Sequence, residues 1–295
     1  MAISSRILKA AMEAADKKKN EGLTTPEDVV RFDDVVYGTD PTWEVLDVYR
    51  PRGAEGALPT IVSVHGGGWV YGDKEVYQFY CMSLAQQGFA VVNYTYPLAP
   101  KAKFPSIVAH AAQVLAWCAD QADEYGLDVE RLFAVGDSAG AHTLAQLAAM
   151  LTDAEYAAAV GVPLEGVPTP KAIALNCGIY DIRHITQLRW MLKGMLGDYM
   201  PHKWADERVV DLMCVTGHVR ESYPPTYLMT STGDFLVDQA PLMERELEAA
   251  GVEHVSKVYG TANNTLGHVF HCDLRLPEAH ACNEDECDFF KRFIG

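Results

Sequence analysis

A serine flanked by glycines is the residue of this chain best placed to do chemistry. The segment Gly136-Asp137-Ser138-Ala139-Gly140 follows a short apolar run over 132–135 and precedes a helical pattern from Ala139 to about Leu151. A G-x-S-x-G sequence between a strand and a helix predicts a sharp turn that exposes the serine hydroxyl, and its small residues let strand and helix pass closely. Ser138 is therefore the candidate nucleophile. A chance match in a glycine-containing chain is the alternative.

A serine hydroxyl needs a base to activate it, and the base needs an acid to orient it. Two predicted loops after late strands supply both groups, in the order serine, acid, histidine along the chain. Asp234 follows a predicted strand through a glycine turn, and His268 ends a polar, glycine-bearing loop after the next predicted strand. Asp238, at the start of the following helix, and His271 are the alternatives for acid and base.

Acyl transfer also needs backbone amides that stabilise the negative oxygen of the tetrahedral intermediate. An H-G-G-G-W segment at 65–69 directly follows a predicted strand, and its three consecutive glycines free the backbone to turn its amides inward. The expected donors are the amides of Gly67, Gly68 and Ala139. A phosphate-binding loop is the competing interpretation, but no Lys-Ser/Thr follows and no G-x-G-x-x-G is formed.

The elements that must position these groups alternate between strand and helix patterns, which predicts an α/β fold with a mostly parallel sheet covered on both faces. Eight strands are predicted, at Val29–Tyr37, Trp43–Tyr49, Thr60–Val64, Ala90–Thr95, Arg131–Val135, Ala172–Asn176, Thr226–Thr230 and His254–Tyr259. The predicted helices are Lys74–Gln87, Ser106–Glu124, Ala139–Leu151, Val237–Ala250 and Pro277–Phe293.

Two segments stand outside this alternation. The first twenty residues place Ile3, Ile7, Leu8 and Met12 at helical spacing, which predicts an amphipathic helix whose end, Lys17-Lys18-Lys19, is solvated. The second segment, 179–223, has no strand pattern and is rich in methionine and tryptophan, which favours a helical lid that lines an adaptable pocket. A helical hairpin that only stabilises the fold is the alternative. The apolar and aromatic residues of this segment are Trp190, Met191, Leu192, Met195, Leu196, Tyr199, Met200, Trp204, Leu212 and Met213.

The charge balance limits the classes of partner. The 295 residues include 24 basic and 40 acidic side chains, and the net charge of −16 repels phosphate backbones and anionic lipid surfaces. No apolar stretch approaches the roughly 20 residues that cross a bilayer. Neither nucleic acid nor stable membrane association is therefore expected.

The seven cysteines are odd in number and scattered, which predicts free thiols and a reducing, cytoplasmic location. One group of possible metal ligands lacks any C-x-x-C or H-E-x-x-H spacing, so we expect no metal and no cofactor. This group comprises His268, His271, Cys272, His280, Cys282 and Cys287.

The glycine segment at 65–69 together with the serine segment at 136–140 resembles the hormone-sensitive-lipase-like branch of the α/β hydrolases, from about Val45 to the C-terminus. This resemblance implies an α/β-hydrolase fold, carboxylesterase activity without a cofactor, and oxyanion amides from the second and third glycines. It also implies that a single domain over 1–295 carries a cap built from 1–25 and 179–223. The chain departs from the family motifs at Tyr96-Pro97-Leu98-Ala99-Pro100, Asp234-Phe235-Leu236 and His268-Val269-Phe270.

The sequence thus predicts a serine carboxylesterase that acts on a small-molecule ester. Trp69 and Tyr71, beside the oxyanion segment, are expected to shape the acyl side of the site, and the bulky indole suggests short acyl chains such as acetyl or butyryl. An amidase of the arylformamidase type is the second hypothesis, and a non-catalytic small-molecule receptor on the same fold is the third. An edge strand or the C-terminal helix offers a surface for a homodimer.

Overall fold

The computed structural model describes residues 1–185, 189–202 and 206–295, with the backbone alone at 189–191. These residues form one eight-stranded sheet in the order β1-β2-β4-β3-β5-β6-β7-β8. Its strands are β1 (Val29–Val36), β2 (Val45–Pro51), β3 (Leu58–Val64), β4 (Ala90–Tyr94), β5 (Leu127–Asp137), β6 (Ala172–Asn176), β7 (Thr226–Ser231) and β8 (His254–Tyr259).

The sheet is parallel from β4 to β8, whereas β1 pairs antiparallel with β2 and β2 pairs antiparallel with β4. The α/β fold class and the mostly parallel sheet predicted from the sequence are confirmed. The largest difference in strand length is at β5, which starts at Leu127 rather than Arg131 because its first residues pair with the start of β3. Since the carboxyl ends of parallel strands lie on one edge, the loops after β3, β5, β7 and β8 meet there.

Helices cover both faces of the sheet, as expected. Buried side chains of α2 and α10 belong to the core on one face, and those of α3, α5 and α9 belong to the core on the other. The predicted helix over 106–124 is divided into α3 and α4, and no helix in the described ranges is long and apolar enough to span a bilayer. The helices are α1 (Ile3–Asn20), α2 (Lys74–Ala85), α3 (Ser106–Asp120), α4 (Ala122–Tyr125), α5 (Ala139–Thr152), α6 (Ala154–Val160), α7 (Arg189–Tyr199), α8 (Glu207–Met213), α9 (Ala240–Ala250) and α10 (Pro277–Lys291).

The predicted N-terminal helix is present as α1, and it packs against α7 from the 179–223 segment. The carboxylate of Asp198 in α7 accepts a hydrogen bond from the Ala2 amide at 2.8 Å, which satisfies a free amide at the start of α1. Two residues of the expected apolar stripe, Ile3 and Ile7, are exposed, because this helix meets its neighbours with other residues. The predicted lid side chains Trp190, Met191 and Trp204 lie outside the described side chains.

Candidate active site

Ser138 lies in the turn between β5 and α5, where its backbone has φ +53° and ψ −116°. This left-handed region is rare for a residue with a side chain and marks a strained turn. The two glycines are needed because a Cβ on Gly136 would lie 2.6 Å from the Gly140 oxygen, and one on Gly140 would lie 2.0 Å from the Val64 oxygen. The Ser138 amide donates to the Asn176 carbonyl in β6 at 2.8 Å, which fixes the turn against the sheet.

The three candidate catalytic side chains form one continuous chain of hydrogen bonds. His268 Nε2 lies 3.0 Å from Ser138 Oγ, and His268 Nδ1 lies 2.7 Å from Asp234 Oδ1. When Nδ1 carries the proton and donates a hydrogen bond to the carboxylate, Nε2 presents its lone pair to the serine hydroxyl, which is the arrangement that general-base activation of a serine requires.

The Asp234 carboxylate is held from several sides. Its Oδ2 accepts from the Thr230 hydroxyl at 2.9 Å, and its Oδ1 accepts from the Leu236 amide at 2.8 Å. Burial raises the pKa of this carboxyl, but the hydrogen bond and charge of His268, with the Leu236 amide and the Cys177 thiol, outweigh burial and hold the pKa below its usual value. Asp234 is therefore ionised and fixed in orientation.

The alternative residues considered for the acid and the base are elsewhere. Asp238 is exposed in the 3₁₀ turn Val237–Gln239. His271 is fully buried beneath the site, where its ring makes an edge contact with Tyr80 at 5.1 Å. Burial lowers the pKa of His271 to about 3, so this imidazole is neutral.

The glycine segment after β3 turns beside Ser138. Gly67 has φ +104° and Gly68 has φ +58°, and a Cβ on Gly67 would lie 2.1 Å from the Tyr71 oxygen. Within the part of the chain that the structure describes, the amides of Gly67, Gly68 and Ala139 donate to no protein acceptor. These unengaged amides border the nucleophile and can donate hydrogen bonds to a ligand oxygen.

The imidazole of His65 supports this segment from below. It stacks on Tyr96 with ring centroids 4.0 Å apart, and its Nδ1 lies 2.8 Å from the Gly66 carbonyl oxygen. Burial lowers the pKa of His65 to about 4, so the imidazole is neutral and donates from Nδ1. The side chain of His65 is fully buried and does not line the cavity at Ser138, so its role is to hold the shape of the loop.

Trp69 and Tyr71, both expected at the acyl side, are placed differently. Tyr71 lines the cavity at Ser138, but Trp69 is 0% exposed and does not line it. The indole is stacked on Tyr199 of α7 with ring centroids 5.3 Å apart. The expectation for Trp69 is corrected accordingly: the ring packs behind the glycine loop because α7 supplies a partner there.

The cavity above Ser138 has a volume of about 240 Å³ and is mainly apolar. Leu8 and Met12 of α1 and Leu192 and Met195 of α7 form part of its wall. Both segments that lie outside the strand and helix alternation thus contribute to the site.

One end of the α1 wall is polar. Lys19 lines the cavity, its side chain is only 14% exposed, and its Nζ lies 2.7 Å from the Asp16 carboxylate, which also lines the cavity. The expectation that Lys17-Lys18-Lys19 is simply a solvated helix end is therefore wrong for Lys19. Helical spacing turns this residue inward, while Lys17 and Lys18 are exposed.

The role of Asp137, next to the nucleophile, was not predicted from the sequence. Its Oδ2 accepts from the Tyr77 hydroxyl at 2.8 Å, and its Oδ1 accepts from the Gly66 amide at 3.1 Å. Burial raises the pKa of Asp137 to about 6. The carboxyl joins the serine turn to the glycine loop. The position of Asp137 inside the G-x-S-x-G segment was the only sign of this role in the sequence.

The cysteines and histidines near the C-terminus do not gather around a common point. The seven cysteines are buried and unpaired, and His280 is exposed with its Nε2 2.8 Å from the Leu274 carbonyl oxygen. His268 belongs to the hydrogen-bond chain with Asp234. Cys272 Sγ lies 3.5 Å from His271 Nε2, but among the described residues no three of the six side chains considered for a metal come close enough to share an ion.

A second buried carboxyl lies beneath the serine turn. Glu286 of α10 accepts from the Asn176 side-chain amide at 2.6 Å and from the Tyr80 hydroxyl at 2.9 Å. Burial raises the pKa of Glu286 to about 7. This network connects α10 to the residue whose carbonyl holds the Ser138 amide.

Glu286→Gln is expected to change how stability depends on pH. Because the unfolded carboxyl ionises near 4.5 while the folded one keeps its proton to about 7, the wild type loses stability across that interval as pH rises. Relative to Glu286→Gln, its free energy of unfolding should fall by about 1 to 3 kcal/mol between about pH 4 and pH 8. Urea unfolding at several pH values measures this. The exposed Glu284→Gln on the same helix is the control, and a pH-independent difference for Glu286→Gln would contradict the expectation.

Comparisons with known proteins extend these observations. A family model described as BD-FAE matches residues 46–247. Versiconal hemiacetal acetate esterase of Dothistroma septosporum is 28% identical over 221 residues, and ethyl acetate hydrolase of Pseudomonas putida is 30% identical over 213 residues. Each match covers 70% of this chain and 65% of the relative, so the chain spans less than two thirds of the length of these curated relatives.

Solved structures match over a larger share of both chains. Esterase B from Lactobacillus rhamnosis superposes with a TM-score of 0.88 at 25% identity, covering 98% of this chain and 93% of that one. A form of the same esterase inhibited by a tributyrin phosphonate superposes with a TM-score of 0.86 at 25% identity, covering 98% and 94%.

Proposed function

Since this chain belongs to the BD-FAE family, a hormone-sensitive-lipase-like family of α/β-hydrolase esterases, we propose that it is a serine carboxylesterase acting on small esters. The observation that carries the proposal is the hydrogen-bond chain from Ser138 Oγ through His268 to Asp234, with spacings of 3.0 and 2.7 Å. Ser138 and His268 of this hydrogen-bond chain line a mainly apolar cavity. The family match, the similarity to curated esterases and the superposition on a solved esterase support the same reaction class.

In the proposed reaction, Ser138 Oγ attacks the ester carbonyl carbon while His268 Nε2 takes the hydroxyl proton. Asp234 holds the imidazole and stabilises its positive charge. Collapse of the tetrahedral intermediate breaks the bond to the alcohol oxygen, which leaves with the proton from His268 and gives an acyl-serine. Water, deprotonated by the same imidazole, then attacks the acyl carbon; the bond to Ser138 Oγ breaks, His268 returns the proton to Oγ, and the carboxylic acid leaves.

The proposed oxyanion donors are the amides of Gly67, Gly68 and Ala139, which have no protein acceptor among the described residues. The Ala139 amide also lies at the first turn of α5, where the helix dipole favours negative charge. Preorganised amides of this kind typically contribute about 3 to 4 kcal/mol each to lowering the barrier.

We propose that residues 1–25 and 179–223 form the cap of the single domain. Leu8 and Met12 in the first segment and Leu192 and Met195 in the second line the cavity, and α1 packs on α7. Tyr71 adds an aromatic wall on the side of the glycine loop. The cap would limit the size of the ester that reaches Ser138.

The free thiols support a reducing location. Seven cysteines are buried without a disulfide partner in the described structure. Disulfides form in oxidising compartments and are rare in the cytosol. We therefore propose that the enzyme works in a reducing compartment such as the cytoplasm, on a small-molecule ester.

Labelling by a fluorophosphonate probe tests the nucleophile. The wild type should form a stable adduct because the proposed base activates Ser138 Oγ. Ser138→Ala should show no adduct, whereas the buried Ser231→Ala in β7 should still be labelled. An unlabelled wild type, or a labelled Ser138→Ala, would exclude the proposed mechanism.

Short acyl chains should be preferred. The cavity volume of about 240 Å³ lies below the roughly 300 to 1,000 Å³ of pockets for drug-sized ligands. In a series of p-nitrophenyl esters from acetate to laurate, kcat/KM should peak at acetate or butyrate and fall by at least about 10-fold by decanoate. The inhibition of a structural relative by a tributyrin phosphonate agrees with this range. A maximum at laurate would contradict the prediction.

A further inference from the structure

The residue after the proposed base has a backbone conformation that its side chain disfavours. Val269 has φ +51°, in the left-handed region where a β-branched residue is a rare outlier and glycine is free of strain. Its side chain is half-buried and lines the cavity beside Ser138 and His268. Strain of this kind persists where the surroundings enforce it, and it concentrates at functional sites.

The residue after the proposed acid also reaches the cavity. The Phe235 ring packs on the His268 imidazole, with centroids 4.2 Å apart and planes at 36°. Phe235 is nevertheless 37% exposed and lines the cavity. A large apolar ring that is partly uncovered in a pocket is available to stack on a ligand.

The chemistry of ester hydrolysis decides which part of the substrate meets these two side chains. His268 Nε2 must deliver its proton to the leaving alcohol oxygen, so that oxygen lies beside the imidazole. The carbonyl oxygen points instead to the amides of the glycine loop. The group attached to the leaving oxygen therefore runs along the wall formed by Phe235 and Val269.

We propose that Phe235 and Val269 set the specificity of the enzyme for the alcohol part of the ester. This inference rests on the proposed esterase function. Phe235 favours arylmethyl alcohols, whose aromatic ring stacks on the Phe235 ring. Val269 excludes alcohols that are branched at the carbon next to the oxygen. The substrates are thus short-chain esters of primary aromatic alcohols, with benzyl acetate as the simplest example.

The test uses four acetates that differ only in the alcohol: ethyl, benzyl, isopropyl and tert-butyl. The wild type should have its highest kcat/KM on benzyl acetate and its lowest on tert-butyl acetate. Val269→Gly, which removes three carbons, should raise the isopropyl-to-ethyl ratio of kcat/KM by about 10-fold or more, and Val269→Ala, which removes two, by a smaller factor, since even one methylene in a pocket changes selectivity by about 10-fold. Phe235→Ala should lower the benzyl-to-ethyl ratio by about 10-fold.

Matched control variants distinguish an effect on the cavity from the general effect of removing an exposed aromatic ring or a strained backbone position. Phe32 is 38% exposed and lies on β1, and Asp34 has φ +56° on the same strand; neither lines the cavity. Phe32→Ala and Asp34→Gly should leave both ratios unchanged. The p-nitrophenyl acyl series should also keep its maximum in the Val269 and Phe235 variants.

Two results would overturn the inference while leaving the esterase function standing. One is unchanged alcohol ratios in active Val269→Gly and Phe235→Ala enzymes. The other is an equal shift of the alcohol and acyl series, which would mean that the cavity has only loosened. A wild type that hydrolyses none of the acetates and none of the p-nitrophenyl esters would instead refute the proposed function itself.

Discussion

His268→Ala is expected to lower kcat/KM for ester hydrolysis by on the order of 10⁶-fold, because a serine hydroxyl without its base is almost unreactive at neutral pH. The structure puts His268 Nε2 at 3.0 Å from Ser138 Oγ, so the variant removes the one imidazole in contact with the proposed nucleophile among the described residues. Steady-state kinetics on p-nitrophenyl acetate measures the loss.

His271→Ala is the comparison for this prediction. His271 is buried beneath the site, against Tyr80, and does not line the cavity. Its replacement should cost stability but keep kcat/KM within about 10-fold of the wild type at a temperature where the variant is folded. If His271→Ala were the variant that lost activity on the order of 10⁶-fold, the base would have been assigned to the wrong histidine.

Asp234→Asn is expected to lower kcat by about 10⁴-fold with a smaller change in KM. The asparagine amide can donate to His268 Nδ1, which would move the imidazole proton to Nε2 and remove the lone pair that faces Ser138. It also removes the negative charge that stabilises the imidazolium. Far-UV circular dichroism and urea unfolding would show that the fold is kept, and pre-steady-state acylation would show which step is slowed.

Asp238→Asn supplies the matched change four residues away, at an exposed carboxylate. It should leave kcat within about 2-fold of the wild type. A large loss of kcat in Asp238→Asn together with an active Asp234→Asn would reverse the assignment of the acid.

Local spacing is the reason that Ser138, Asp234 and His268 could be predicted together. Each residue directly follows a predicted strand or its adjoining loop, and the ends of parallel strands meet on one edge of the sheet. Their approach in space therefore follows from topology, without knowledge of any side-chain packing. Gly136 and Gly140 could be interpreted for the same reason, since their role depends on strand and helix passing closely.

The placement of side chains that contact distant parts of the chain could not be predicted in this way. The burial of Trp69 requires Tyr199, which comes 130 residues later on α7. The inward direction of Lys19 depends on where α1 lies over the cavity, and composition predicted only a charged helix end. The carboxyl of Glu286 reaches Asn176 because α10 packs under the sheet, and no spacing rule connects those two residues.

The hydrogen-bonded groups of the site lie far apart along the sequence, and this affects the order in which parts of the molecule fold. The turn at Ser138 is built from neighbouring residues. The hydrogen bond between the Ser138 hydroxyl and His268, however, spans 130 positions, and the hydrogen bond from Asn176 to Glu286 spans 110. Contacts of such separation form late, after loop-closure entropy has been overcome. Recovery of hydrolysis after dilution from urea should therefore lag behind recovery of the helical circular dichroism signal. The return of catalytic activity then reports when the whole sheet has formed.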